Sequence, residues 1–112
     1  EQCVTGVVGG TSYGFGIDAR RVSGGSVSCT LLVDQYSGAN CTPPALGAAS
    51  VGISLASGWT QSNSTHVTNA STHSVIFTVS CLDAAQAFTL RFDDAFYGPG
   101  LVPVELQSLS IE

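Results

Sequence analysis

Apolar and polar residues alternate along much of this chain with a period of two, the pattern of strands that lay one face on a core. Tyr13, Phe15, Ile17 and Ala19 alternate with Gly14, Gly16, Asp18 and Arg20, and Gly9-Gly10 supplies the turn that leads into them. After a turn over Ser23 to Ser26, Val27, Cys29, Leu31 and Val33 share one face, and Val75, Phe77, Val79 and Cys81 form a second strong run. Shorter runs follow the same rule at Val51, Ile53 and Leu55, at Phe88, Leu90 and Phe92, and at Val102, Val104 and Leu106. Helical spacing is missing: no window of about twelve residues repeats apolar positions at i, i+3 and i+4. The nearest candidate, Asp83 to Ala87, is too short to stand alone.

Turn-forming clusters separate the runs: Ser37 to Asn40, Pro43-Pro44, Ser62 to Thr65, Asn69 to Thr72 and Gly98 to Gly100. Many short strands at this spacing predict an all-β fold, an antiparallel β-sandwich or jelly roll. With 112 residues and no repeat or linker, residues 1–112 read as one domain, with 101–112 a C-terminal strand or a linker.

Charge narrows the partners. The formal net charge is −5, and Arg20, Arg21 and Arg91 are the only Lys or Arg residues, so no basic stripe can neutralise phosphates and nucleic acid is excluded as a partner. No apolar run reaches the ~18 residues of a membrane span. Hydrophobic residues make up 44% and charged residues 10%, leaving Ser, Thr, Gly and Asn to supply surface polarity, as suits an extracellular β protein. No charged and apolar leader precedes Glu1, so the chain reads as a mature, exported form.

Four cysteines without CxxC spacing, and only two histidines, fit disulfides in an oxidising compartment better than a zinc site. Cys29 and Cys81 both sit on inward faces of strong strands, which favours their pairing and leaves Cys3 with Cys41. Pairing of Cys29 with Cys41 and of Cys3 with Cys81 also satisfies the spacing, and it stays open at this level.

No catalytic constellation is visible. The serines lack a Gly-x-Ser-x-Gly elbow, and His66 and His73, seven apart in turn-rich sequence, lack a third metal ligand and read as solvated loop residues. Asp93 and Asp94 are adjacent on a strand and should face opposite sides, so they cannot flank one glycosidic bond. The chain is therefore expected not to be an enzyme. Sequons at Asn40-Cys41-Thr42, Asn63-Ser64-Thr65 and Asn69-Ala70-Ser71 make Asn40, Asn63 and Asn69 candidate glycosylation sites if the source exports through a eukaryotic secretory pathway.

The path GTSYGFGIDAR, SVSCTLL, SGWTQ, SVIFTVSC and FTLRFDDAF, over roughly residues 2 to 97, resembles the carbohydrate-binding-module jelly rolls related to families 4 and 9. The resemblance implies disulfides Cys3–Cys41 and Cys29–Cys81. It also implies a candidate calcium site at Asp93 and Asp94, with Asp83 nearby, as the one cofactor such a fold would take. The family's opening strands have no counterpart before Glu1, so their place should be filled by residues 101 to 111 or by a strand from another molecule. The segment VPVELQSLSIE resembles those that follow β-domains of exported bacterial surface proteins.

Sugar-binding faces need exposed aromatic rings beside amide and carboxylate hydrogen-bonders, and the candidates are Tyr36, Trp59 and Tyr97. Tyr36 and Tyr97 lie near turns and are expected at the surface, whereas Trp59, opening a strand after Gly58, is expected to pack. The leading expectation is a non-catalytic extracellular module binding glycan or a surface. The second is a structural subunit that assembles with copies of itself by strand exchange or edge pairing, favoured by the scarcity of edge-protecting lysine.

Overall fold

The structure is a computed structural model that describes residues 1–24, 27–82, 88–99 and 104–105. Its strands are β1 (Gln2–Thr5), β2 (Ser12–Gly24), β3 (Cys29–Tyr36), β4 (Ala45–Ile53), β5 (Thr60–Val67), β6 (Ser74–Cys81), β7 (Phe88–Pro99) and β8 (Val104–Glu105). They form two four-stranded antiparallel sheets ordered β1-β6-β3-β4 and β5-β2-β7-β8, and the described residues contain no helix. Only β3–β4 and β7–β8 are consecutive neighbours within a sheet; every other connection crosses between sheets, which builds a sandwich.

The alternation read from the sequence becomes the core. Phe15, Ile17, Ala19, Leu31, Val33, Val75, Phe77 and Val79 are completely buried between the sheets. Val27, Val51, Leu55, Leu90 and Phe92 pack against that core from partly buried positions. Burial of such side chains stabilises by about 1.5–3 kcal/mol each relative to exposure, which makes this set the principal source of cohesion.

Both expected disulfides form. Cys29 and Cys81 lie directly opposite on neighbouring strands β3 and β6, with Cα atoms 4.0 Å apart. Cys3 on β1 reaches Cys41 in the loop between β3 and β4. That loop also contains a cis peptide bond at Pro43-Pro44, and Ser74 Oγ ties it to β6 by donating to the Gly38 carbonyl and accepting from the Cys41 N–H.

The sandwich departs from the sequence expectation in several places. Ser62 to Thr65 is the middle of β5 rather than a turn. The inward positions of β5 are Ser62, Ser64 and His66, too polar to register as a strand by hydrophobicity. The strand exists because β2 offers it an unbroken ladder from Ser12↔Val67 to Ala19↔Thr60. Gly98 and Pro99 likewise extend β7 instead of turning, while Gly100 lies outside the described residues. Val104–Glu105 does add a short strand beside β7, at the edge of its sheet. Asp83 to Ala87, Val102 and Leu106 lie outside the described residues.

A bulge in β7 has the largest consequence. Between the pairs Gly16↔Phe96 and Asp18↔Asp93, β2 advances two residues and β7 three. Asp94 takes a left-handed conformation (φ 49°) within this step. The extra residue shifts alternation by one, so inward positions run Leu90 and Phe92 before the bulge but Ala95 and Tyr97 after it.

Candidate functional site

The outward face of the β5-β2-β7 sheet forms a grid three strands wide. Its first row holds Asn63, Gly16 and Phe96, and its second Gln61, Asp18 and Asp93, as the register dictates. The third holds Trp59, just before β5, with Arg20 and Arg91. Neighbouring strands are ~4.8 Å apart and same-face residues along a strand ~6.8 Å, so the grid spans an area comparable to a short oligosaccharide.

Trp59 is half exposed, with 51% of its surface open, and the Arg20 guanidinium lies 5.6 Å from its ring centroid. The expectation that Trp59 packs is thereby corrected: the ring stays outside the core, braced by a cation–π contact with Arg20. Arg20 Nε is buried without an acceptor among the described residues, consistent with a guanidinium held by the indole.

A polar contact runs along β5 from the first row to the second. Asn63 Nδ2 donates to Gln61 Oε1 at 3.0 Å, and Gln61 stands directly opposite Asp18 across the β5–β2 ladder. Partial burial, then a shared hydrogen bond and the charge of Asp94, then the charge of Asp93, hold the Asp18 carboxyl above the ordinary carboxylate range. Directly across from this acidic cluster along the strands stand Arg20 and Arg91, themselves a cross-strand pair. The face thus carries an acidic row beside a cationic one. At its upper row, Phe96 rests on Gly16: a Cβ there would lie 2.8 Å from the Phe96 ring and 2.6 Å from the Ser62 carbonyl oxygen.

Three sequence expectations fail at this level. Asp93 and Asp94 do not face opposite sides; the bulge leaves both exposed, Asp94 bonding through its own N–H to the Asp93 carboxylate at 2.8 Å. Tyr97 is not a surface ring. It is 1% exposed, stacked on Tyr13 with centroids 4.7 Å apart, because the same bulge turns it inward. His66 is not a solvated loop residue: it points inward from β5 and its Nε2 pairs with the Tyr97 hydroxyl at 2.9 Å. Burial lowers the His66 pKa and raises that of Tyr97, and His66 Nδ1 is buried with no partner among the described residues. His73 is exposed, with Nδ1 on the Ser37 carbonyl.

The proposed aromatic trio therefore does not converge. Tyr36 is half-buried at the end of β3 in the other sheet, Tyr97 is in the core, and Trp59 alone stands on the outer face. Asp18, Arg20, Gln61 and Phe96 join it, and sequence reading missed them because each sits in the polar phase of its strand with nothing local to show which sheet face it shares. Among the described residues no three His, Cys, Asp or Glu side chains are grouped to hold a metal ion, and Asp83 lies outside those residues. Asn40, Asn63 and Asn69 are all exposed; Asn69 Oδ1 accepts from the Ser71 N–H in a local turn, and Asn63 lies within the grid.

No helix among the described residues is long and apolar enough to cross a membrane, and the two disulfides are those of a chain folded under oxidising conditions. Compared with known protein families, curated proteins and solved structures, the chain matches none.

Proposed function

We propose that this chain is a non-catalytic, extracellular β-sandwich module that binds glycan on the outward face of the β5-β2-β7 sheet. The observation that carries the reading is the half-exposed Trp59 ring, braced on Arg20 beside Gln61, which accepts from Asn63 and stands opposite Asp18. A flat indole stacks on the C–H face of a pyranose, and amide and carboxylate groups at its side accept and donate to hydroxyls. Holding the ring before binding lowers the ordering cost that weakens ligand affinity. The resemblance to carbohydrate-binding modules supports the same class of ligand.

The test is a glycan array followed by calorimetric titration of the best ligand. Wild type should bind, and Trp59→Ala should lose about tenfold or more in affinity, about 1.4 kcal/mol, while unfolding at the same temperature. A chain that binds no glycan, or a Trp59→Ala variant that binds as wild type does, overturns the reading.

A further inference from the structure

From Gln35 to Leu82 the chain contains no Asp, Glu, Lys or Arg; all 8 acidic and 3 basic residues lie outside this stretch. The fold sets two strands of that stretch, β4 and β5, at one edge of the sandwich, while the third, β6, lies between β1 and β3. β4 is the edge of one sheet and β5 the edge of the other, and the two edges meet there, with the Ser54 N–H donating to Ser62 Oγ at 2.9 Å. A molecule of net charge −5 thus has one edge whose own strands bring no charge to a second copy; Asp34, opposite Ala48, lies one strand further in, on β3.

Edge strands carry unpaired N–H and C=O groups, which natural proteins guard with lysine, proline, inward charge or a bulge. β4 is guarded at its start only. Its register with β3 slips between Gln35↔Gly47 and Tyr36↔Ala45, and Gly47 has a φ of 130°. From Ala48 to Ile53 the ladder with β3 is unbroken, from Asp34↔Ala48 to Cys29↔Ile53, with no charge, proline or bulge. Among the described residues no strand lies along the other side of β4. The side chains there are Ala48, Ala49, Ser50, Val51, Gly52 and Ile53, small enough for another backbone to approach. β5 is a less open edge, since Trp59, Gln61 and Asn63 stand along it on the outward face.

We propose that β4 pairs antiparallel with β4 of a second copy of this chain. The two-fold axis passes beside Ser50, setting Ser50 opposite Ser50, Ala49 opposite Val51 and Ala48 opposite Gly52 of the other copy, so that exposed positions meet exposed positions and core-facing ones meet core-facing ones. The β1-β6-β3-β4 sheets of the two copies then form one continuous sheet. A two-fold contact uses the same strand on both partners, so it closes at a dimer and leaves no β4 edge for further growth. This inference rests on the edge alone and stands or falls independently of glycan binding.

The test is light scattering and sedimentation velocity of the full chain from micromolar to near-millimolar concentration, beside Ser50→Lys and Ala48→Glu. Ser50 and Ala48 are exposed, so both variants should unfold at the wild-type temperature while placing a charge on the edge. Wild type should be a dimer and both variants monomers. A wild type that is monomeric throughout, a dimer that survives both charged variants, or growth into open filaments would each overturn the proposal. If one variant fails to fold, the other gives the reading.

Discussion

Removing the hydroxyl of Tyr97 should destabilise this protein more than removing both members of its hydrogen bond. Tyr97 is 1% exposed and its hydroxyl pairs with His66 Nε2 at 2.9 Å; the other nitrogen of His66 is already buried without a partner among the described residues. Tyr97→Phe would leave both ring nitrogens unpaired, and an orphaned buried polar group costs about 1–3 kcal/mol. His66→Leu would strand the Tyr97 hydroxyl at a similar cost. The double variant replaces the pair with apolar groups of similar shape, which is close to neutral. The singles should therefore unfold roughly 4–12 °C below wild type, at about 4 °C per kcal/mol for a chain of this size, and the double variant above either single. Calorimetry on the four proteins measures this cycle. Acid adds a second readout. Burial lowers the folded pKa of His66 from its usual 6.5, so the unfolded chain takes up the proton first and the His66 contribution to stability, complete above that value, is lost as pH falls below it. His66→Leu should lose less stability than wild type over that descent. Additive single variants, or a wild type and His66→Leu with the same acid dependence, would refute the assignment of this pair.

The acidic row and its floor give two further outcomes. The raised pKa of Asp18 means that the folded chain holds a proton there above the ordinary 3.8, so stability falls as pH rises through that window and repulsion remains at neutral pH. Asp18→Asn should then stabilise at neutral pH by a few tenths to about 1 kcal/mol, the size of a cross-strand like-charge term, with no gain at pH values below the window. Urea denaturation at both conditions measures it, and a lower neutral-pH midpoint would sink the idea. Gly16→Ala should cost about 1–3 kcal/mol, because the new methyl would lie 2.6 Å from the Ser62 carbonyl oxygen and must move backbone as well as the Phe96 ring. An unfolding midpoint equal to wild type would show that β5 gives way freely.

Asp93 and Asp94 show where sequence reading of this chain stops. Strict alternation sends neighbours to opposite faces, and that rule holds for β2, where Tyr13, Phe15, Ile17 and Ala19 are buried. It fails in β7 at one inserted residue, and the failure propagates: both carboxylates face solvent and Tyr97 enters the core. A bulge is fixed by pairing with a partner strand, and nothing in FDDAFYG declares which residue is extra.

The sequence by itself determined the class of fold and much of the core, and it favoured the disulfide partners that the structure shows while leaving the alternative pairing open. Each follows from local periodicity, since a period of two marks the buried face whatever lies across from it, and Cys29 and Cys81 stand in the buried phase of their strands. Tertiary structure alone decided which polar residues share a surface. Trp59, Gln61 and Asn63 come from one strand region, Asp18 and Arg20 from another and Asp93, Asp94 and Phe96 from a third, and they meet only because β2 lies between β5 and β7. β5 itself was hidden for the same reason: its cohesion lies in hydrogen bonds to β2 and in the His66–Tyr97 contact, long-range interactions that leave no hydrophobic trace along the chain.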